Sequence, residues 1–280
     1  MKLTTLIVSA MMAASPAIAE DVTFVIPGGT KGVFMAQAVS HTEDLTRLGY
    51  STDIGAPGDT CSAAELVNNS DHPTLFIWGS DSEAGAQMGD GCLAPEFSAE
   101  DVIAVSYNPV FVCTMDADID PLVGDHKLGV WLSVATVHTS AVNHLNSVAG
   151  SNLTPIPYDG SGSVLTALTN GEIEVALLPR ARAEIVKESG GTCNYMFANA
   201  DQDATVKSLV ETYSDSKLNL TSMDVIVAKN WNNTDVHALM QDIYNDTASS
   251  VSQNPSKFNN SVPADVTSLW TAAIAAFVIK

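Results

Sequence analysis

One stretch, residues 154–179, constrains the fold of this chain more than any other. It reads TPIPYDGSGSVLTALTNGEIEVALLP. A short extended segment leads into a Gly/Ser-rich turn at 158–162, a helix begins near Ser163, and Asn170-Gly171 ends it. Apolar residues then alternate at Ile173, Val175 and Leu177. The change from helical spacing of the apolar residues to strict alternation predicts a strand–loop–helix–strand unit.

The turn in this stretch has the character of an anion site. A helix leaves its first backbone N–H groups unpaired, and anions bind readily there. We expect Ser161 or Ser163 to cap the helix and Gly171 to follow its last turn. A second interpretation, in which Gly160 and Gly162 only form a tight turn, is equally open, because a Gly-rich loop is a weak signal.

The first nineteen residues have the pattern of a secretory signal. A basic start at Lys2 precedes an apolar run too short to span a bilayer, and an A-x-A sequence precedes Glu20. We therefore expect residues 1–19 to be removed and the mature protein to act outside the cytoplasm. A retained anchor is the alternative.

The charge is strongly acidic. Lys and Arg number 12 against 32 Asp and Glu, a formal net charge of −20. Such a surface repels nucleic acid and anionic lipid, so neither nucleic acid binding nor membrane insertion is predicted. A small anion can still bind where backbone amides and helix ends set the local field, since salt screens exposed charges beyond about 8 Å.

The cysteines predict disulfides. Four of them in an oxidising compartment indicate two bridges with three possible connectivities. Zinc is the alternative, but the chain has no C-x-x-C or His-paired spacing, and we predict no metal. The four are Cys61, Cys92, Cys113 and Cys193.

The chain in order alternates strands and helices. Strands are expected at 21–27 and 48–54, each before a glycine-containing loop and a helix, and a third at 71–77 that ends near Ser80. In α/β folds of this kind, ligands gather at the carboxyl ends of the strands. Ser80 is either a ligand contact or part of a plain turn, and Thr60 or Ser62 is expected to cap the second helix.

The middle of the chain repeats the arrangement. A β-rich run at 101–115 is interrupted by Asn108-Pro109, a strand follows at 128–132, and a hydroxyl-rich segment at 133–140 precedes a helix marked by Ala141 and Leu145. Hydroxyl and N–H groups at a helix N-terminus suit a carboxylate. His138 in this segment is either a titrating ligand group or structural.

These motifs resemble the receptors of tripartite tricarboxylate transporters, known as Bug-type or TctC-type. The family segment VPY-x-G-x-x-x-ALTAL-x-x-G-x-(I/V)-(D/E)-(V/L) corresponds to residues 156–175 here. Pro27 and Gly32 match its first ligand loop, and residues 55–66 resemble the family segment G-A-G-G-N-x-A-A-x-x, which opens the second helix. Val278-Ile279-Lys280 resemble the family's ending. The resemblance spans the mature chain.

The resemblance implies an α/β, two-lobed periplasmic-binding-protein fold of type II, with mixed sheets flanked by helices and two hinge crossings. Lobe 1 would comprise residues 20–107 and 200–280, and lobe 2 residues 108–199, with a hinge near 106–110. Within this layout the favoured disulfides are Cys61–Cys92 and Cys113–Cys193, because each pair then lies in one lobe.

The resemblance also implies a function. The protein would be a monomeric receptor that closes on a small organic acid, such as a di- or tricarboxylate, and delivers it to a membrane permease, without catalysis or cofactor. The alternatives are a receptor of another transporter class with the same fold, and a secreted hydrolase using Ser161 or Ser163 with His138 or His144. The sequence lacks the G-x-S-x-G motif that forms the nucleophile elbow of such a hydrolase.

The expected ligand-binding residues come from five places: the first glycine loop, the end of the third strand, the hydroxyl-rich segment, the turn at 158–162 and the joint after its helix. They are Gly28, Gly29, Thr30, Lys31, Gly32, Ser80, Ser133, Thr136, His138, Thr139, Ser140, Tyr158, Asp159, Gly160, Ser161 and Glu174. Glu174 is expected either to bind a ligand hydroxyl or to cap a loop.

Overall fold

The computed structural model describes residues 20–27, 30, 33–87, 93–131, 135–253, 258 and 260–277. Strands and helices alternate along most of the chain. The strands are β1 Asp21–Val25, β2 Ser51–Gly55, β3 Thr74–Gly79, β4 Val102–Asn108, β5 Val110–Thr114, β6 Asp125–Trp131, β7 Asn152–Tyr158, β8 Val175–Pro179, β9 Thr192–Met196, β10 Lys207–Ser208 and β11 Ser222–Lys229. The helices are α1 Val33–Arg47, α2 Thr60–Asn68, α3 Ser80–Gly85, α4 Ala135–Ala149, α5 Gly160–Thr169, α6 Arg180–Glu188, α7 Leu209–Tyr213, α8 Asn233–Asn245, α9 Ser250–Gln253 and α10 Val266–Phe277.

The strands form two mixed sheets. The five-stranded sheet has the order β2-β1-β3-β11-β4, in which β11 is antiparallel to both of its neighbours. Helices α1, α8 and α9 cover one face, and α2 and α10 cover the other. Each face therefore buries a separate apolar cluster, as expected for an α/β layer.

The six-stranded sheet has the order β10-β9-β5-β8-β6-β7. Strand β6 is parallel to β7 and β8, whereas β5 is antiparallel to β8 and β9. Helices α4 and α7 pack on one face, and α5 and α6 on the other. These two sheets confirm the predicted α/β fold with mixed sheets flanked by helices.

The chain passes between the sheets twice. It leaves the five-stranded sheet at Asn108, and after Pro109 it enters the six-stranded sheet at Val110, within the predicted hinge. It returns between β10 and β11. Because β10 still pairs with β9, this return falls later in the chain than the predicted boundary at 199/200.

Two helices connect the cores of the two sheets. Helix α10 begins at Val266 in the core of the five-stranded sheet, and Phe277 at its end is buried in the core of the six-stranded sheet. Ala84 of α3 is also buried in that second core, beside residues of α4. The two halves of the molecule therefore share packed side chains in addition to the crossings.

Strand β8 differs from its prediction. The alternation at 173–177 predicted one buried face, but all five residues of Val175–Pro179 are buried. The strand lies between β5 and β6, and its side chains enter an apolar cluster on each face of the sheet. A central strand covered on both sides has no solvent-facing positions.

One predicted disulfide is present. Cys113 and Cys193 face each other in β5 and β9 and are bonded, with an S–S distance of 2.03 Å. Cys61 is also disulfide-bonded, and Cys92, its predicted partner, lies outside the described residues. Among the described residues, no helix has both the length and the apolar character needed to cross a membrane.

Candidate ligand-binding site

Two strand–helix junctions lie side by side in the six-stranded sheet. Strands β6 and β7 run parallel, and Trp131 pairs with Tyr158 at their carboxyl ends. The next helices, α4 and α5, begin a few residues further on, at Ala135 and Gly160. Both helix N-termini therefore lie at the same edge of the sheet, where their unpaired N–H groups favour an anion.

No side chain of the described residues caps the N-terminus of α5. Asp159 occupies the N-cap position, but its carboxylate accepts no capping hydrogen bond. The helix begins at Gly160, three residues earlier than predicted, so the prediction that Ser161 or Ser163 caps it is wrong. Gly160 has φ +82°, a left-handed conformation that favours glycine. The backbone amides of this turn are thus presented without a side-chain acceptor.

The other end of α5 matches the sequence. Gly171 follows the C-cap residue Asn170 with φ +73°, and its N–H donates to the carbonyl oxygen of Leu168. This confirms Gly171 as the residue that ends the helix. By contrast, the expected caps of α2 are wrong, because Asp59 accepts the N–H of Ser62 at 2.8 Å.

Helix α4 begins earlier than its pattern predicted. The buried residues Val137, Ala141 and Leu145 lie on one face at a spacing of four, so the helical period extends back to Ala135. Thr139 and Ser140 therefore lie in the second turn and are half-buried, not in a loop before the helix.

His138 is buried beneath this edge. It is 1 % exposed, and its ring lies edge-on to the Trp131 ring with 4.2 Å between the ring centroids. Among the described residues, its Nδ1 has no hydrogen-bond partner. Burial lowers the pKa of His138 to about 3, so the imidazole is neutral at physiological pH. A neutral ring cannot balance a carboxylate charge, but it can donate or accept one hydrogen bond.

Two other predicted residues have visible structural roles. Tyr158 is half-buried beside the α5 cluster, and burial, followed by the charge of Glu172, raises its pKa. Glu174 accepts the backbone N–H of Lys127 in strand β6 at 2.9 Å, which is a contact within the fold.

In the five-stranded sheet, neighbouring parallel strands β1 and β3 also end at one edge. Thr30 is exposed after β1. Ser80 follows β3, is fully buried, and accepts the N–H of Met223 at 3.0 Å through its hydroxyl oxygen. Several predicted residues lie outside the described part: Gly28, Gly29, Lys31, Gly32, Ser133 and the side chain of Thr136.

The structure also reveals a polar cluster that the sequence analysis missed. Asp224 is 2 % exposed near the start of β11, and its carboxylate accepts hydrogen bonds from Asn108 and Ser222. The carboxyl groups of Asp224 and Asp81 both lie close to Gly79. A single aspartate in the otherwise apolar segment 223–228 was the available signal. A buried carboxyl of this kind requires partners from elsewhere in the fold.

The hydrolase alternative gains no geometric support. Within the described ranges, neither Ser161 nor Ser163 hydrogen-bonds to a histidine, and His144 instead bonds to Asp215 at 2.7 Å. The described residues also contain no group of three or more His, Cys, Asp or Glu side chains placed to hold a metal ion.

Comparison by sequence gives no match, either to a protein-family model or to a curated protein. Comparison by structure does. An R. palustris protein solved with adipate has a TM-score of 0.69 at 16% identity, over 91% of this chain and 94% of that one. MatC from Rhodopseudomonas palustris with bound malate has a TM-score of 0.66 at 15% identity, over 92% and 97%.

The class of fold follows from these likenesses: the chain has the bilobed fold of periplasmic binding proteins. More narrowly, a TctC solute binding protein from Polaromonas superposes with a TM-score of 0.56 at 13% identity, over 93% of this chain and 97% of that one. At the level of the fold, this confirms the resemblance to the tripartite tricarboxylate transporter receptors.

Proposed function

We propose that this protein is an extracytoplasmic receptor that captures a small organic acid by hinge closure and delivers it to the permease of a tripartite tricarboxylate-type transporter. The supporting observation is the uncapped α5 N-terminus beside the start of α4, at the edge where the parallel strands β6 and β7 end. The amides of such an edge can bind a carboxylate without a nearby lysine or arginine.

The lobe division supplies the closing motion in this proposal. Two crossings join the halves, and the ligand would bind between the ends of β1 and β3 on one side and those of β6 and β7 on the other. A ligand that contacts both lobes binds the closed state more tightly than the open state, and this difference in affinity drives closure.

The ligand class rests on chemistry and on fold relatives together. Two proteins of this fold were solved with the dicarboxylates adipate and malate. The strongly acidic surface would disfavour polyanions at long range, whereas a small diacid can be held by amides and hydroxyls close by. We therefore assign di- and tricarboxylates as the ligand class.

In this proposal the protein acts in the periplasm as a monomer and catalyses no reaction. Gly28 to Gly32, Ser133, Thr136 and the turn at 158–161 would contribute amides and hydroxyls. His138 would contribute a neutral hydrogen-bonding group. Ser80 would stabilise the start of β11, after the second crossing, by accepting the N–H of Met223. A permease receives the acid when the lobes open.

The test is binding by calorimetry and thermal shift against dicarboxylates, tricarboxylates, aromatic acids and amino acids. An acid present at a free concentration of 100 times its Kd stabilises the folded protein by about 2.7 kcal/mol. We expect stabilisation by at least one carboxylate, recovered unchanged, and loss of its cellular uptake when the protein is deleted. Ester hydrolysis, or binding confined to non-acidic solutes, would contradict the proposal.

A further inference from the structure

Asp224 lies at the point where the chain returns to the five-stranded sheet. Its strand, β11, is between β3 and β4, and Asp224 pairs with Gly79 on one side and with Ser106 on the other. The side chain is 2 % exposed, so its carboxyl group has almost no contact with bulk water.

The carboxyl of Asp224 is bonded to both crossings. The Asn108 side-chain amide donates to Asp224 Oδ2 at 2.5 Å, and the Ser222 hydroxyl donates to Oδ1 at 3.0 Å. Asn108 is the last residue before the first crossing, and Ser222 is the first residue after the second. Asp224 therefore ties together the two segments that join the lobes.

A second carboxyl lies beside the first. Asp81 is in the first turn of α3, and a side chain on Gly79 would overlap with Asp81 Oδ1 and lie 2.9 Å from Asp224 Oδ1. The two carboxyl groups thus flank the space that glycine leaves free. Ala84, one turn further along α3, is packed in the core of the six-stranded sheet.

No described cation offsets these two groups. On α3 itself, Glu83 accepts hydrogen bonds from Trp78 and Gln87. Helix α10 carries no charged side chain between Val266 and Phe277. Of the lysines on nearby elements, Lys217 is in the turn Ser216–Leu218, and Lys229 is at the far end of β11, bonded to the carbonyl of Val67.

Helix α4, which contacts α3, contributes two histidines. His144 is engaged with Asp215, and His138 is buried and neutral. Burial raises the pKa of Asp81 to about 6. Burial, with the Asp81 charge as the second cause, raises the pKa of Asp224 to about 8. Two adjacent carboxyls in such surroundings do not both ionise easily.

We propose that Asp81 and Asp224 share one proton and that this proton stabilises the hinge. While the proton is bound, the two crossings and α3 stay together. Loss of the proton drives them apart. Loss of the proton leaves two adjacent carboxylates, Asp224 buried and Asp81 half-buried, which repel each other and require water. The hinge therefore loosens as the pH rises. This inference does not depend on the proposed ligand.

The protonation is tested by NMR titration of the aspartate side-chain carboxyl carbons in the ligand-free protein. We expect one of them to titrate near pH 8, and this transition to be absent in Asp224→Asn. In Asp81→Asn the remaining carboxyl should titrate at lower pH, because its charged neighbour is gone. Ionisation of both carboxyls below pH 5 in the wild type would overturn the proposal.

The coupling to the hinge is tested by amide hydrogen exchange, corrected for the intrinsic pH dependence. The reporter is the N–H of Met223, which donates to Ser80 beside Asp81. Its protection should fall about tenfold, or about 1.4 kcal/mol, between pH 6.5 and pH 9 in the wild type. It should stay constant in Asp81→Asn or Asp224→Asn, and the exposed Asp53→Asn should behave as the wild type.

Because there are two variants, the test still decides the question if one of them does not fold. If Asp224→Asn does not fold, Asp81→Asn and the wild-type titration still decide the question. Equal loss of Met223 protection with pH in the wild type and in Asp81→Asn would show that the hinge does not respond to this proton.

Discussion

Ser222 lies opposite Asn108 in the neighbouring antiparallel strands β11 and β4. These residues mark where the chain re-enters and leaves the five-stranded sheet, so the two connections between the lobes run side by side. In the proposed receptor, a rotation of one lobe against the other would be centred on this short line. Asp224 bonds to both residues at this line.

Gly160→Ala should weaken acid binding. Alanine at φ +82° is strained, so the turn relaxes and the α5 amides lose their orientation. We expect Kd to rise about tenfold, equivalent to about 1.4 kcal/mol. Calorimetry with the best-binding acid measures the change.

Gly171→Ala is the matched control. Gly171 has φ +73° at the other end of the same helix, and in the described part of the chain no atom lies within 4 Å of a Cβ added at either glycine. Both substitutions should therefore cost about 1 kcal/mol of stability. An equal loss of affinity in both variants would show that helix strain, and not the anion site, is responsible.

His41 should make the protein less stable in acid. Its ring is fully buried, with Nδ1 2.7 Å from the Gln37 carbonyl oxygen and Nε2 3.1 Å from the Tyr244 hydroxyl. Burial lowers the pKa of His41 from 6.5 to about 4. The unfolded chain therefore binds more protons below pH 6.5, and stability is lost as the pH falls from 6.5 towards 4.

The His41 contribution amounts to about 2 kcal/mol between pH 7 and pH 5. Urea unfolding at both pH values measures it as the difference between the wild type and His41→Gln. The exposed His72→Gln serves as the control and should keep the wild-type pH dependence. If His41→Gln keeps that dependence as well, the buried ring is not the group that titrates.

Removing the Cys113–Cys193 disulfide should destabilise the protein. The bond closes a loop with a sequence separation of 80 and restricts the unfolded chain. Replacing both residues with alanine should lower the free energy of unfolding by about 4 kcal/mol, as measured in urea. A loss below about 1 kcal/mol would mean that the bond adds little beyond the β5–β9 pairing already present.

Phe277→Ala should loosen the connection made by α10. Phe277 is 1 % exposed in the core of the six-stranded sheet, whereas Val266 at the start of the helix packs in the core of the other sheet. The truncation should cost about 3–5 kcal/mol. It should also speed amide exchange along α10.

Phe258→Ala gives the comparison, because Phe258 is equally an apolar core residue but packs in the five-stranded sheet alone. Its stability loss should be similar, while α10 keeps its protection. Faster exchange of α10 in both variants would mean that general destabilisation, not the lost anchor, frees the helix.

The order of elements was predictable because it depends on local patterns. The apolar runs predicted most of the strands, Gly171 predicted the end of α5, and Asn108-Pro109 predicted the position of the first crossing. Helix starts were less predictable. Asp59 and Asp159 occupy the N-cap positions where serine or threonine was expected, since several polar residues in each turn could serve as the N-cap.

The roles of single side chains depended on distant partners. Ser80 was predicted near the ligand, and its hydroxyl accepts the N–H of Met223 from a strand far along the chain. Glu174 had two possible roles, and only the position of the Lys127 amide shows the structural one. Its role toward a ligand, like the other site assignments, stays a prediction.

The sequence by itself determined the alternation of strands and helices, the even set of cysteines and the acidic surface, because propensity, spacing and charge are local or summed properties of the chain. The tertiary structure alone decided that Asp81, Asn108, Ser222 and Asp224 meet at the crossings. Sequence separation does not reveal such proximity. Strand β11 inserts between β3 and β4, and that pairing brings the carboxyl groups of Asp81 and Asp224, 143 residues apart in the chain, close to each other.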